Sequence, residues 1–138
     1  MKRSMLVAMV AVGVAMMAAV ADAQVKKGKT RPATTKQLMS GVVQPHCAAI
    51  GAAVKQAPAD DKAWETLAAN AAVLNEISYT LMDDGRCPDA DWANATTTLR
   101  TASDAILAKA TAKDHAGVAA EFAKLTESCG ACHKVHKK

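Results

Sequence analysis

The stretch Val118–His136, VAAEFAKLTESCGACHKVH, places Val118, Phe122, Leu125, Cys129, Cys132 and His136 at successive intervals of four, three, four, three and four residues. That spacing keeps them on one face of an α-helix, and it does not suit a strand, whose side chains alternate with period two. A seam that begins as ordinary core therefore delivers two thiols to the inward face of a helix, with the imidazole of His133 immediately after the second thiol.

Three stretches upstream show the same periodicity. The first begins at Thr34 or Thr35, either of which can cap a helix, and sets Leu38, Val42, Ala49, Ile50 and Ala53 on one side before Pro58; Pro45 inside it predicts a kink or local break. The second follows the capping pair Asp60 and Asp61, carries Trp64, Leu67, Ala71, Leu74, Ile77 or Ser78, and Leu81, and stops at Asp83-Asp84-Gly85. The third opens at Pro88-Asp89 or Asp91 and runs through Trp92, Ala95, Leu99, Ala102, Ile106 and Ala110. The fourth, which contains the quoted stretch, starts near Lys113-Asp114. The expected fold is all-α: four helices joined by short connectors in an antiparallel up-down-up-down bundle, which brings the start of the first level with the end of the fourth.

Residues 1–23, MKRSMLVAMVAVGVAMMAAVADA, have a short basic start, an apolar run and small residues at Ala21 and Ala23. This pattern predicts a signal peptide cleaved after Ala23, with an apolar run too short and too alanine-rich to anchor comfortably in a membrane. Residues 24–33 read as a flexible basic leader and residues 34–138 as the helical domain. The net charge of +4 is mildly basic and stays so after removal of Lys2, Arg3 and Asp22, which indicates no nucleic-acid partner. Export to the periplasm implies an oxidising compartment, where the four cysteines are expected to be bonded or committed to a ligand.

Three chemistries compete for Cys129-Gly130-Ala131-Cys132-His133. Covalent attachment of a haem needs two thiols on consecutive turns, to add across two vinyl groups, and an adjacent imidazole to ligate iron; the five residues supply all three. A thioredoxin-like pair needs its first cysteine at a helix N-terminus, usually after a strand, and Cys129 lies near the end of a helix in a strand-free sequence. Zinc needs a fourth ligand, and although His115 or His136 could be offered, no second ligand cluster is present. One covalent haem c is the expected cofactor. Its flat apolar ring would also account for a core with few aromatics, only Trp64, Tyr79, Trp92 and Phe122.

With these residues in place the chain resembles the class II, cytochrome c′-like family: exported four-helix bundles with CxxCH near the end of the last helix. It is closest in pattern to members with LM...QP.C in the first helix and E..Y.LMDDGRCPD...W between the second and third. Those residues stand here as Leu38-Met39, Gln44-Pro45-His46-Cys47, Glu76, Tyr79, Leu81 to Asp89 and Trp92. The resemblance implies that Cys129 and Cys132 carry the thioethers and that His133 is the proximal ligand. Three and four residues after that histidine the family usually has an aromatic and a basic residue; this chain has His136 and Lys137.

The same resemblance places the distal residue in the first turns of the first helix, where Met39 stands. A Met39 thioether suits haem iron and raises its potential. In the alternatives, Met39 only packs against the ring while Leu38 or Val42 closes an open site, or His46 is the sixth ligand. His115 is expected at the surface. With two cysteines assigned to haem, Cys47 and Cys87 are expected to form a disulfide, free buried thiols or an intermolecular bridge being the alternatives. Lys36 and Arg86 are candidates for binding the propionates.

The function expected is one-electron transfer with periplasmic redox partners, without catalytic turnover, acidic partners being steered by Lys134, Lys137 and Lys138. The alternative is binding of a diatomic gas, nitric oxide or carbon monoxide, at a five-coordinate iron. Alanines at 48, 49, 52, 53, 68, 69 and 72 would permit a homodimer.

Overall fold

A computed structural model describes residues 27–137; the signal peptide expected at 1–23 lies outside the described residues. Four helices account for most of the described chain. Helix α1 is continuous but composite, with α-helical Thr35–Leu38, π-helical Met39–Val43 and α-helical Gln44–Lys55; α2 is Asp61–Met82, α3 Ala90–Thr111 and α4 His115–His136. Among the described residues there is no strand, only an isolated bridge between Lys27 and Thr34.

Each helix starts where a side chain satisfies a free N–H group. Thr34 and Gln37 form a reciprocal capping box on α1. The carboxylates of Asp60, Asp89 and Asp114 accept from the N–H groups of Ala63, Trp92 and Gly117, each at 2.8 or 2.9 Å. Between α2 and α3 the chain turns through Asp84 and Gly85, at φ 59° and 74°. Glycine takes that conformation freely, whereas an aspartate there requires compensation.

The core joins Leu67, Ala71, Leu74, Ile77 and Leu81 of α2 to Trp92, Leu99, Ala102, Ile106 and Ala110 of α3 and to Val118 and Leu125 of α4. From α1 it takes Val43 and Ile50. Aliphatic side chains and alanines make up most of this buried cluster. Contacts tie the helix ends together: Lys113 Nζ donates to Asp61 Oδ1 at 2.8 Å, Trp92 Nε1 to the Leu81 carbonyl at 2.9 Å, and His115 Nε2 meets the Ala53 carbonyl at 2.9 Å. His115, expected at the surface, is half-buried because that bond fastens α4 to α1.

Pro45 locally breaks the α-helical ladder of α1, as expected. Proline lacks the N–H that an α-helix needs and its ring collides with the carbonyl four residues back. The preceding turn widens, and the Gln44 N–H reaches the Met39 carbonyl, five residues back. One extra residue in a turn advances the helical phase by one position. Leu38, Val42, Ile50 and Ala53 pack on the core as expected, but Ala49 is exposed, and Val43, Cys47 and Val54 join the stripe.

The leader, expected to be flexible, is fastened from Lys27 onward. The Asp84 backbone carbonyl accepts from the Lys29 N–H at 3.0 Å. Its carboxylate accepts from the Thr30 N–H and hydroxyl at 2.9 and 3.0 Å and from the Arg31 N–H at 3.0 Å. Gly28 allows this approach, since a Cβ there would overlap the Asp84 carboxylate. Behind Asp84 lies Arg86, 1% exposed, donating from Nη2 to the Ala33 carbonyl at 3.1 Å and from Nη1 to Asp84 at 3.4 Å.

Withdrawal from water acts against ionisation of Asp84, but bonds from Thr30 and Arg31 and the charge of Arg86 prevail and hold its carboxyl below the usual range. A depressed folded value means that the clasp is at full strength above the unfolded carboxylate pKa, about 3.9, and is lost as pH falls through the folded value. The amide resonances of Thr30 and Arg31 should therefore move together with a midpoint below about 4; a midpoint above that value contradicts this account. Gly41 is exposed within the π turn, and a Cβ added there would meet nothing within 4 Å. Gly41→Ala should raise stability to urea by about 0.5–1 kcal/mol, the usual cost of glycine within a helix; a loss would show that the wide turn needs glycine's freedom.

Candidate functional site

The last three turns of α4 carry the chemistry. Leu125 is fully buried, Ser128 and His136 are nearly so, and Cys129 and Cys132 are half-buried against the core. Gly130, Ala131 and His133 lie on the exposed side. Helical phase explains the difference: residues 129, 132 and 136 continue the seam of Val118 and Leu125, whereas His133 sits about a quarter-turn around. Two thiols thus face inward beside an imidazole at the rim.

Burial is the main cause that pushes the Cys129 thiol up to about 11, followed by the nearby thiols of Cys47 and Cys132. Cys132 is raised by burial and then by Asp89 and Asp91 at the start of α3. His133 is lowered by partial desolvation and then by Lys137, so its ring is neutral near pH 7 and keeps a lone pair to donate. His136 is 4% exposed, lies 3.3 Å from the Asp89 carboxylate through Nε2, and meets the Trp92 ring edge-on at 5.4 Å between centroids. A buried imidazole ring thus packs on an indole three residues after His133.

On α1, Leu38, Met39 and Val42 are partly buried and pack against the core. Lys36 is exposed one turn earlier. His46, the alternative sixth ligand, is engaged by α2, its Nδ1 lying 2.7 Å from Asn70 Oδ1. Arg86 is buried at the turn that holds the leader, with Nε lacking a hydrogen-bond partner.

The four cysteines stand as free thiols. Cys87 donates its S–H to the Asp89 carbonyl at 3.4 Å. Cys47 packs against the same core as Cys129 and lies near enough to act on that thiol electrostatically. Reading α1 with an unbroken 3.6-residue period misses this juxtaposition, and Pro45 was the only local signal for it. Among the described residues no group of three or more histidine, cysteine or acidic side chains is arranged to hold a metal ion, and no helix is long and apolar enough to cross a membrane.

No known family model, curated protein or solved structure matches the chain. The elevated value of Cys129 leaves about one thiolate in a thousand at pH 8, against roughly a quarter for an ordinary cysteine with pKa near 8.5. Alkylation of Cys129 in the folded, haem-free chain should accordingly be about two orders of magnitude slower than that of a cysteine peptide; equal rates would show that the thiol is not buried as described.

Proposed function

We propose that the chain is an exported c-type cytochrome that carries one covalent haem c and transfers single electrons in the periplasm. The observation that carries this reading is the end of α4, where Cys129 and Cys132 are half-buried on the core seam while the neutral imidazole of His133 stands beside them at the surface. The end-to-end contacts of α2 with α3 and the His115 bond to α1 support the antiparallel arrangement that would bring Met39 level with this site.

The residues present suit the group. Thiols on consecutive turns can anchor two points of a flat ring, and the buried Arg86 Nε, which lacks an acceptor, is of the kind a carboxylate would satisfy. When bound, haem supplies an iron that gains and loses one electron. The protein's part is positional: Cys129 and Cys132 fix the ring, His133 donates a lone pair, and Leu38 and Val42 exclude water. Met39 offers a soft sulfur that would favour the reduced state. Lys36 and Arg86 would hold propionates. The exposed Lys134 and Lys137 would attract acidic redox partners at rates that fall with salt.

If Met39 only packs, the site is open and the protein binds a diatomic gas. The partial exposure of Met39 at the mouth of the wide turn is compatible with either role. We further propose that a homodimer would use the outer faces of α1 and α2, where Ala48, Ala49, Ala52 and Ala69 remain exposed beside a groove of about 600 Å³.

The deciding test is the visible and near-infrared spectrum of protein purified from the periplasm of cells with haem-attachment machinery. Expected are a covalent haem that survives acid-acetone extraction and a low-spin ferric spectrum with a sulfur-to-iron band, lost in Met39→Ala with a fall in potential. A high-spin spectrum that responds to carbon monoxide would favour gas binding, and a colourless protein would remove the haem reading.

A further inference from the structure

We propose that Cys47 is the redox partner of Cys129, forming with it a disulfide between α1 and α4 that withholds Cys129 from the chemistry of the CGACH run. Three features converge on the pair. The wide turn at Met39–Val43 advances the phase of α1, so that Cys47 falls on the stripe Val43, Cys47, Ile50 and Val54, against the core that Cys129 also packs on. One turn further on, Gly51 permits close approach of the helices, since a Cβ there would lie 3.2 Å from Phe122 Cζ of α4. The electrostatic influence of Cys47 on Cys129 also exceeds that of Cys132, its neighbour within the CGACH run. The other candidate partner for Cys47, Cys87, is directed to the Asp89 carbonyl.

The oxidant is a disulfide compound, either a small molecule such as oxidised glutathione or a dithiol–disulfide exchange protein. The Cys47 thiolate attacks one of its sulfurs, forming a mixed disulfide and releasing one thiolate. The Cys129 thiolate then attacks the Cys47 sulfur and expels the second thiolate. Two protein thiols are oxidised, one disulfide is reduced to two thiols, and the two protons pass from the protein to the released thiolates. On the reading of the chain as a cytochrome, this bond holds the apo-protein back from haem attachment until a dithiol reduces it.

The test uses the full-length, haem-free chain carrying Cys132→Ser, oxidised with glutathione disulfide, blocked and digested with trypsin. The expected product links the peptide bearing Cys47 to the peptide bearing Cys129. A Cys47–Cys87 or Cys87–Cys129 link as the main product, or glutathione adducts alone, would overturn the proposal. A second chain, with Cys87→Ser and Cys132→Ser, retains only the proposed pair; its ring closure should be about tenfold or more faster in buffer than in concentrated urea, because the fold holds the thiols together. Equal rates, including those of a chain that fails to fold, count against it. These readouts contain no haem, so a colourless native protein would sink the cytochrome reading while leaving the disulfide to be judged on the peptides.

Discussion

Helix α1 can bury an apolar stripe against the bundle only if its phase changes midway, and the molecule depends on that constraint. Thr35 and Val43 share a core that Ile50 also enters. Leu38 and Cys47 would fall on opposite sides of an unbroken 3.6-residue helix, yet both pack against that core, and Pro45 could not have continued one without a missing bond and a collision. The widened turn resolves both difficulties. It accommodates the proline and rotates the second half of α1, so that Cys47 and Val54 share the side of Ile50. The position of Met39 at the start of that turn, and of Cys47 just beyond it, are consequences of one inserted residue.

A second dependence runs through the α2–α3 connection. Asp84 adopts a left-handed conformation that a non-glycine residue accepts reluctantly, and the bonds its carboxylate receives from the leader offset that cost. The bonds from Thr30 and Arg31, helped by the charge of Arg86 behind them, keep the carboxylate ionised, and Arg86 ties the turn to the residue before the cap of α1. The DDGRC segment is therefore a junction at which the leader, α1 and the connection to α3 meet. Trp92 and His136 close the same end from the side of α3 and α4.

What the sequence disclosed was local and periodic. The caps at Thr34, Asp60, Asp89 and Asp114, the stripes of α2 and α3, and the passage of Cys129, Cys132 and His136 onto the core seam all follow from short-range rules, and they appear at the expected positions. What it hid was non-local. Thr30 and Arg31 look like parts of a solvated tail until the turn that binds them is folded, and His115 looks exposed until the Ala53 carbonyl comes within reach. The widened turn lies between these cases: Pro45 announced a disturbance, but whether the helix would bend, break or gain a residue was decided by where its apolar side chains had to go. The end of α4 was thus legible as a thiol and imidazole site, whereas the approach of Cys47 to it was not.

The clasp on the leader has a bearing on the order in which the chain can mature. Thr30 and its acceptor Asp84 are 54 residues apart in sequence. A polypeptide made from its N-terminus exposes Lys29, Thr30 and Arg31 long before Asp84 exists, and the turn that presents Asp84 is completed only when α2 has formed. During that interval the basic segment is accessible to any factor that recognises it. Closure of the turn then engages three of its amides and fixes its backbone, while the side chains of Lys29, Thr30 and Arg31 stay exposed, so what ends is the segment's freedom to take another backbone shape, at a point set by the length of chain between the two halves.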